Sequence, residues 1–445
     1  MFDPLFAKPL ARRIKRVARV TGRNIFYGAV LTTAAQLSKI GGGFLLLKLI
    51  AVYLGPEGMG QIGNFMSVVT ILSLIAGGGV VNGVIKYVAA LRHEKKELLI
   101  FVSSVKIYSF VFSFLIALVG CLLSEKIAFY LFGDSSKYWL IIVLALAQIG
   151  FGFTNLVTGV ANGLMDTRSY ALIQVSGNLL VLPVAWILVS NFHFAGAALS
   201  IVLFYLSYAL PAYYFYRKSV FFNRTLIFGS LRANASRLSV YTLMACIGAI
   251  SVPLVEIIVR AQLISGAGLD AAGIWQGSIK LSSAYMGFFT VFLAVYFMPL
   301  IVKMEGKKEI SSTVVRFIAI VMAVFLIGAS GLYLFRGIFI PLLLSSNFSA
   351  LEELIQYQLI GDFFRVSSYV VGFIVIARSS LKIYIFGEVA QGLLFMGLST
   401  FFLSQGMALK GVYMAHIIMN MIYFLVSMVG FWVYLNCYLG EKKCS

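Results

Sequence analysis

Apolar segments long enough to cross a lipid bilayer recur along almost the whole chain, and this repetition leaves few folds open. Twelve spans are predicted, at about 24–54, 61–90, 98–123, 138–163, 170–190, 194–216, 238–264, 273–302, 312–335, 353–378, 381–403 and 409–436. Each approaches or exceeds the ~20 residues that a helix needs to cross ~30 Å of hydrocarbon. Membrane-spanning strands are about ten residues long and alternate strictly in polarity, which these segments do not. The sequence predicts an all-α polytopic membrane protein with twelve transmembrane helices.

The composition agrees with lipid as the main solvent of the chain. Hydrophobic residues make up 61% of the 445 positions and charged residues 11%, whereas soluble domains have about 45–50% and 25%. So few charges cannot cover a soluble protein of this size, which excludes a cytoplasmic enzyme, a secreted disulfide scaffold and a disordered chain. The four cysteines show no C-x-x-C spacing, so the sequence indicates neither a disulfide framework nor a zinc site.

Positive charge is distributed unevenly over the connections between spans, and this predicts the orientation. With the N-terminus in the cytoplasm, most of the 35 Lys and Arg fall in cytoplasmic tails and connections, as the positive-inside rule requires. The outer side receives only Lys126, Lys137, Arg260, Arg336 and Lys410. We therefore expect an even number of spans with both termini in the cytoplasm. The net charge of +19 then needs no nucleic-acid partner to explain it.

A basic connection over residues 217–237, with five cations and no acid, divides the spans into two sets of six. The predicted parts are a basic N-terminal extension (1–23), an N-terminal six-helix lobe (24–216), this cytoplasmic linker (217–237), a C-terminal six-helix lobe (238–436) and a cytoplasmic tail (437–445). Paired halves with a substrate site between them are common in transporters. We expect the extension to form an amphipathic helix on anionic lipid, with Leu10, Ile14 and Val17 on its apolar face.

The motifs that would indicate an enzyme or an ATP-driven pump are absent from the sequence. There is no GxxxxGK[ST] loop to hold nucleotide phosphates, no HExxH and no GxSxG, and the three histidines lie far apart. We therefore expect a protein that is not an enzyme and that uses no cofactor.

Ionisable residues within the predicted spans are the candidates for function, because a charge at the bilayer centre costs at least ~2.5–3.5 kcal/mol. They are Lys39 and Lys48 in span one, Lys106 in span three, Glu256 in span seven, Lys280 in span eight, Asp362 and Arg365 in span ten, and Glu388 in span eleven. Helical spacing places Gln358, Asp362, Arg365 and Tyr369 on one face of span ten, and Tyr384, Glu388 and Gln391 on one face of span eleven. We expect both polar faces to point inward, towards each other.

Lys39 and Lys48 cannot both reach one cavity from a straight helix, since their spacing places them about 180° apart and ~13.5 Å along the axis. Lys39 lies at mid-span on the same face as Gly42 and Gly43, which makes it the better inward candidate. Lys48 has the alternative of reaching water near its helix end.

Other intramembrane charges have structural alternatives as well. Lys106 is close enough to the cytoplasmic boundary to reach water. Asp362 and Arg365 have the alternative of a local ion pair that only locks helix packing. Glu388 has no intrahelical partner in the sequence, and an acid in such a place more often titrates or binds a cation than it merely packs.

Five segments of the chain resemble a known family. They are Lys39-Ile-Gly-Gly-Gly43, Tyr53-Leu-Gly-Pro-Glu-Gly-Met-Gly60, Gly273-Ile-Trp-Gln-Gly277, Gln358-Leu-Ile-Gly-Asp362 and Tyr384-Ile-Phe-Gly-Glu-Val-Ala-Gln391. On these residues the chain resembles the Wzx-type flippases of lipid-linked oligosaccharides, in the multidrug/oligosaccharidyl-lipid/polysaccharide exporter superfamily. It is most similar to the branch that handles enterobacterial common antigen lipid III and related O-antigen units.

The resemblance implies two six-helix lobes around a central cavity, a MATE-like arrangement. It also implies transfer of an undecaprenyl-diphosphate-linked glycan from the cytoplasmic to the periplasmic leaflet of the bacterial inner membrane. The positions that match the family in residue type or charge are Lys39, Lys48, Lys86, Arg260, Arg365, Asp362 and Glu388, whereas Lys106, Glu256 and Lys280 depart from it. The expected partners are the glycan lipid, protons or sodium as coupling ion, membrane lipids and other glycan assembly proteins.

Physical chemistry supports the same hypothesis. A diphosphate carries about two negative charges, and its passage through hydrocarbon without a partner is prohibitive. We expect Lys39 and Arg365, with Lys48 as a weaker third and Lys86 and Arg260 as further candidates, to attract the headgroup while the polyprenyl tail stays in lipid. Asp362 and Glu388 are the candidates for ion coupling in an alternating-access cycle.

Two alternatives to this hypothesis stay open at the sequence level. A cation-coupled small-molecule exporter of the same superfamily would be favoured by an inner cavity dominated by acids. A membrane glycan polymerase or ligase would be favoured by a large periplasmic loop with a catalytic Arg or His.

Overall fold

The computed structural model describes residues 22–219, 221, 231–304, 306–377 and 381–438. Within these ranges the regular structure is helical throughout. The main helices are Gly22–Ile75, Val81–Leu91, Lys95–Leu122, Ser124–Phe132, Tyr138–Gly163, Thr167–Leu206, Ala209–Arg217, Leu231–Phe292, Met298–Lys303, Lys307–Leu334, Arg336–Leu343, Ala350–Ala377, Leu381–Ser404 and Ala408–Val433. A π-helical segment, Leu293–Phe297, joins two of them.

Three helical segments reverse direction at a single non-helical residue. A straight helix of 54 residues such as Gly22–Ile75 would be about 81 Å long, far more than a bilayer requires. The backbone instead leaves helical geometry at Gly55, His193 and Gly268. Hydrogen bonds join Tyr208 to Asn178 and Arg260 to Gln276 across two of these points. Each of the three segments is therefore a hairpin of two spans.

Dividing the hairpins turns nine long apolar segments of the described chain into twelve spans, which confirms the predicted fold class. We number them span 1 (22–54), span 2 (56–91), span 3 (95–122), span 4 (138–163), span 5 (167–192), span 6 (194–217), span 7 (231–267), span 8 (269–303), span 9 (307–334), span 10 (350–377), span 11 (381–404) and span 12 (408–433). The end of the molecule that carries Gly55 and Gly268 is called the turn end below.

The boundaries at the predicted linker differ from the expectation. Span 7 is already helical at Leu231, so the last part of the predicted linker, 231–237, belongs to a helix. Its apolar and small residues continue the helical pattern of the span without a breaking residue. Most of the N-terminal extension, with its predicted amphipathic helix, the linker residues 222–230 and the end of the C-terminal tail lie outside the described residues. The division into lobes by residue number stays a prediction.

Span 3 shows how lipid, rather than water, surrounds the bundle. Its serines at 109 and 113 are buried, whereas Phe110 and Phe114 are exposed. In water, buried serines and exposed phenylalanines would be unfavourable, but lipid is a good solvent for apolar side chains. Small polar residues at the interface let neighbouring helices approach closely and form hydrogen bonds with each other. The exposed apolar surfaces of the other spans have the same explanation.

Span 2 is interrupted at a run of three glycines, Gly77–Gly79, which all have positive φ. A break at membrane depth leaves backbone groups without helical partners, and these must be satisfied by protein. Ser109 donates to the carbonyl of Gly77, and Ser113 accepts from its N–H. Asn155 of span 4 donates to the carbonyl of Ala76. The buried serines of span 3 therefore stabilise the break in span 2.

The two halves of the chain touch most closely at the turn end, where two glycines face each other. A Cβ atom on Gly273 would lie 1.7 Å from the carbonyl oxygen of Pro56, and one on Gly60 would lie 2.2 Å from that of Leu269. Spans 2 and 8 therefore meet backbone to backbone, a distance that only residues without a side chain permit.

Candidate functional site

A cavity of about 640 Å³ lies between the two halves of the bundle. Its walls come from spans 1, 2 and 6 on one side and span 8 on the other. Most of the lining is apolar, and the polar side chains that reach it include Gln36, Lys39, Thr70, Tyr205, Lys280 and Ser283. A cavity of this size and place fits the expected substrate site of a two-lobe transporter.

Lys39 points into this cavity. It is exposed although it lies in the middle of span 1, because its side chain lines the open space between the lobes. Gly43, one turn later, lines the same wall. Gly42 faces the other way and packs against Asn178 of span 5, whose amide oxygen would lie 3.1 Å from a Cβ atom at position 42. The geometry agrees with Lys39 as the inward-facing lysine of this span.

Lys280 of span 8 lines the same cavity from the opposite half of the bundle. Lys280 was not predicted to bind substrate, because this position departs from the family that the chain resembles. As an ionisable residue within an apolar span, it was nevertheless recognisable from the sequence as a functional candidate. Among the described residues that line the cavity, Lys39 and Lys280 carry the charge, and none is acidic.

The other predicted substrate cations do not join Lys39 in the cavity wall. The Lys48 amine donates to the carbonyl of Pro341 at 2.7 Å, which ties span 1 to the connection after span 9. Lys86 is exposed and lies over the ring of Tyr87, 6.0 Å from its centroid. Their suggested part in binding substrate stays a prediction. Lys106 lies over the ring of Tyr216 and lines a separate cavity of about 80 Å³.

Arg260 lies within span 7 near the turn end and is fully buried. Its guanidinium donates to Asn64 of span 2 at 2.7 Å and to Gln276 of span 8 at 2.5 Å. It also lies 3.9 Å from the Glu256 carboxylate and over the ring of Trp275. These partners come from both halves of the chain, and they explain how an arginine is tolerated inside an apolar bundle. Arg260 therefore links the halves above the cavity.

We expect Arg260→Met to lower the thermal stability of the purified protein by several degrees. The substitution leaves the buried amides of Asn64 and Gln276 without their partner, at about 1–3 kcal/mol each. Thermal unfolding in detergent measures the effect. Arg316→Met is the control, because Arg316 is exposed and substitutions at such positions change stability by about ±0.5 kcal/mol. Equal melting temperatures for the two variants would contradict a structural link through Arg260.

A second polar cluster lies inside the C-terminal half of the bundle, around Asp362. The carboxylate is completely buried and accepts from Ser282 at 2.6 Å, Tyr285 at 2.5 Å and Gln358 at 2.9 Å. Arg365, one turn later on span 10, lies 3.8 Å away. The local ion pair considered from sequence is therefore present. Arg365 is not among the residues that line the cavity, so the structure groups it with Asp362 and not with Lys39.

His416 of span 12 completes this cluster, and it was not predicted from the sequence as a site residue. Its Nε2 lies 3.1 Å from Asp362, and Asn420 lies one turn further along the same span. Asn420 accepts from Gln391 of span 11 at 3.4 Å, so the expected polar faces of spans 10 and 11 are joined through span 12. The sequence signal was the i, i+4 spacing of His416 and Asn420 in an otherwise apolar segment.

Glu388 lies on span 11 one turn before Gln391. The neighbouring Gly387 faces the Tyr423 hydroxyl, 3.1 Å from where its Cβ atom would be. This places Glu388 at the border between spans 11 and 12 and next to the cluster. Its suggested role in ion coupling stays a prediction.

Comparisons with known proteins identify relatives of the chain. Two curated proteins named Lipid III flippase, from Escherichia coli (strain K12) and from Shigella flexneri, are each 34% identical to it over 366 residues. The match covers 82% of this chain and 88% of each relative. No protein-family model matches.

The fold is also similar to a solved structure described as the inward-facing conformation of a multidrug resistance MATE family transporter of the MOP superfamily. The TM-score is 0.72, at 16% sequence identity over 93% of this chain and 99% of that one. An identity this low indicates a shared fold and leaves the substrate open.

Proposed function

This chain belongs to the lipid III flippase family of the MOP superfamily, and on this premise we propose that it moves an undecaprenyl-diphosphate-linked oligosaccharide across the bacterial inner membrane. The direction is from the cytoplasmic to the periplasmic leaflet. The charge distribution supports placing both termini in the cytoplasm and the turn end at the periplasmic face.

The observation that carries the proposal is the charge of the central cavity. Lys39 and Lys280 line it from opposite halves of the bundle, and no acid lies among its described lining residues. A diphosphate needs about two compensating charges to enter a membrane interior, and a lysine is a compact cation that suits phosphate. The two lysines hold the headgroup between the lobes, and the polyprenyl tail stays in the surrounding lipid.

The same observation weighs against a small-molecule exporter for cations, because such an exporter needs acids in its cavity. The short connections at the turn end also argue against a polymerase or ligase, which would be favoured by a large periplasmic loop. Spans 1 and 2 and spans 7 and 8 are joined through single non-helical residues. Spans 3 and 4 are joined by a segment that contains the short helices Ser124–Phe132 and Ser135–Lys137.

The proposal is tested with purified protein in liposomes that contain a defined undecaprenyl-diphosphate-linked glycan. A membrane-impermeant reagent that acts on the glycan reports how much lipid has changed leaflets. We expect transfer well above that of protein-free liposomes. Transport of a cationic dye with no movement of the glycan lipid would favour the exporter and overturn the proposal.

In this proposal, the residues that couple transport to an ion gradient lie in the C-terminal half of the bundle. The chain has no ATP-binding motif, so an ion gradient supplies the energy, and Asp362 and Glu388 are the acids that serve it. Lys48 and Lys86 contribute outside the cavity, where they attract the headgroup at other stages of the cycle, whereas the buried Arg260 links the two halves. Arg365 pairs with Asp362 at 3.8 Å and belongs to the coupling site.

We expect Glu388→Gln to reduce the response of transport to an imposed pH or sodium gradient, because glutamine neither titrates nor carries the charge that attracts a cation. The liposome assay with and without each gradient measures this response. Glu353→Gln is the matched control, since it removes the same charge at an exposed position of the neighbouring span. A Glu388→Gln variant with the full gradient response would remove Glu388 from coupling.

A further inference from the structure

The cluster around Asp362 is built from hydrogen-bond donors, and this limits which cation it can serve. Side-chain hydroxyls of Ser282 and Tyr285 and the amide nitrogen of Gln358 all donate to the carboxylate. The Gln358 amide oxygen is occupied as the acceptor for Ser278 at 3.1 Å. Hard metal cations bind through oxygen acceptors. A carboxylate whose oxygens already accept from this many donors offers sodium a poor coordination shell.

The ring of His416 lies between a carboxylate and two side-chain amides. Asn420 donates to the main-chain carbonyl of His416 at 2.8 Å, and its oxygen accepts from Gln391. These two bonds fix the orientation of the Asn420 amide, whose nitrogen lies 3.1 Å from Nδ1 and 3.3 Å from Nε2. The Gln358 amide nitrogen lies 3.2 Å from Nε2, so the Asp362 carboxylate, 3.1 Å away, is the negatively charged contact of the ring.

On these contacts, and resting on the proposed function, we propose that His416 and Asp362 form the proton-binding pair that couples transport to the proton gradient. A proton from water binds the unprotonated nitrogen of the neutral ring and gives an imidazolium that is held by the Asp362 carboxylate. The same proton leaves from that nitrogen later in the cycle, so the protonation of no other group changes. This narrows the coupling ion to the proton and adds His416 to the coupling site.

The exposed fractions of the two side chains indicate which of them binds the proton first. The Asp362 side chain has no exposed surface, whereas that of His416 is 12% exposed. A proton therefore reaches the imidazole first, and Asp362 acts as its fixed counter-charge. Histidine is suited to this task because its charge changes between about pH 5 and 8.

The surroundings of the pair contain other charged and titratable groups, none of which replaces Asp362 as the contact of the ring. On the neighbouring helices these are Glu256, Tyr285, Arg365, Tyr369, Glu388, Tyr413 and Tyr423. Arg365 offsets the charge of Asp362 while His416 is neutral. Protonation of His416 therefore leaves the cluster with one net positive charge more than before.

Spans 8 and 11 connect the change in charge at the pair to the rest of the bundle. Ser282 and Tyr285 bond to Asp362 from span 8, and Lys280 and Ser283 of the same span line the cavity. An N–H on Nδ1 also faces the Asn420 amide nitrogen, so Asn420 must turn and its bond to Gln391 of span 11 is lost. Span 8 is thus shared by the proton-binding pair and the substrate cavity, which is the physical requirement for coupling.

The test uses the full chain in nanodiscs with isotope-labelled histidine, followed by NMR. The chain has only three histidines, and His416→Gln identifies the signal of interest. We expect that signal to report protonation of the ring when the pH is lowered, and this response to change in Asp362→Asn. Replacing potassium by sodium at constant ionic strength should leave it unchanged. A His416 ring that stays in one protonation state throughout, or a signal that follows sodium, overturns the pair.

Transport in liposomes gives the second readout. We expect the wild-type rate to change by up to about tenfold per pH unit, as one coupled proton predicts, and His416→Gln to abolish this dependence. His93→Gln and His193→Gln are the matched controls, since both histidines are exposed, and both should keep the wild-type profile. His416→Gln with an unchanged profile overturns the coupling role.

The two readouts separate this inference from the proposed function. The titration needs no substrate, so it decides whether the pair binds a proton even if the wild-type protein moves no glycan lipid, a result that would overturn the flippase proposal. Wild-type transfer of the glycan lipid that ignores pH would leave the flippase proposal intact and overturn the coupling role of the pair.

Discussion

Replacing Lys39 by alanine is expected to lower the transfer of the glycan lipid by about ten- to a hundredfold. The Lys39 amine is one of the two charges that the described residues contribute to the lining of the central cavity. A charge-assisted hydrogen bond contributes about 1.5–3 kcal/mol, and each 1.4 kcal/mol corresponds to a factor of ten. The leaflet-accessibility assay in liposomes measures the loss, with the amount of folded protein in each preparation held equal.

Four further variants test the interpretation of the Lys39 result. Lys39→Arg keeps the charge and should retain part of the activity. Lys280→Ala should cause a loss of similar size, and the double variant should show at least the larger of the two effects. Lys48→Ala is the comparison within the same helix, since Lys48 bonds to Pro341 outside the cavity, and it should lose less than Lys39→Ala. Wild-type transfer in Lys39→Ala would remove this lysine from the mechanism.

The fold followed from sequence because its signal is long and repetitive. An apolar segment of about 20 residues admits few structures in lipid, so the twelve spans were recognisable without any contact information. The three hairpin turns were also predicted, since the backbone leaves helical geometry at Gly55, His193 and Gly268, each between two predicted spans. The start of span 7 was not predicted, because no helix-breaking residue separates Leu231 from the span.

The cavity lysines differ in how well sequence could place them. Lys39 lies at mid-span on the same face as Gly43, so the local pattern indicated the side on which the structure places it, although Gly42 faces the other way. Lys280 carried the same intramembrane signal, but its departure from the resembling family lowered its weight. A resemblance reports what relatives share, whereas the cavity wall depends on which residues of this chain face each other.

Only the part of the Asp362 cluster that lies on span 10 could be predicted from the sequence. Helical spacing placed Gln358, Asp362 and Arg365 on one face, which the structure supports. His416 and Asn420 come from span 12, and their meeting with span 10 depends on how the helices pack. Gly361 provides the space, since a Cβ atom there would lie 2.2 Å from the His416 ring. Periodicity within one helix cannot show such a contact between two.

The second large effect is expected at the turn end, from Gly273→Ala. The added Cβ atom would lie 1.7 Å from the carbonyl oxygen of Pro56 and 2.9 Å from the backbone nitrogen of Gly60. Backbone atoms cannot rotate aside, so spans 2 and 8 must separate. Overpacking of this kind costs about 1–3 kcal/mol, which shifts a two-state equilibrium by about 5- to 150-fold. The closed arrangement of the turn end therefore loses population, and transport should fall by a comparable factor.

Accessibility of the cavity from the periplasmic side measures this shift directly. A single cysteine at the cavity wall, Ser283→Cys in a background without the native cysteines, reacts with a membrane-impermeant maleimide when the turn end is open. We expect slow labelling from the periplasmic side with Gly273 intact and markedly faster labelling in Gly273→Ala. Gly266→Ala is the matched control in the same hairpin, because no atom lies within 4 Å of a Cβ atom there. Equal labelling rates in Gly273→Ala and Gly266→Ala would show that the glycine contact does not close the cavity, and the turn end would then have to open elsewhere.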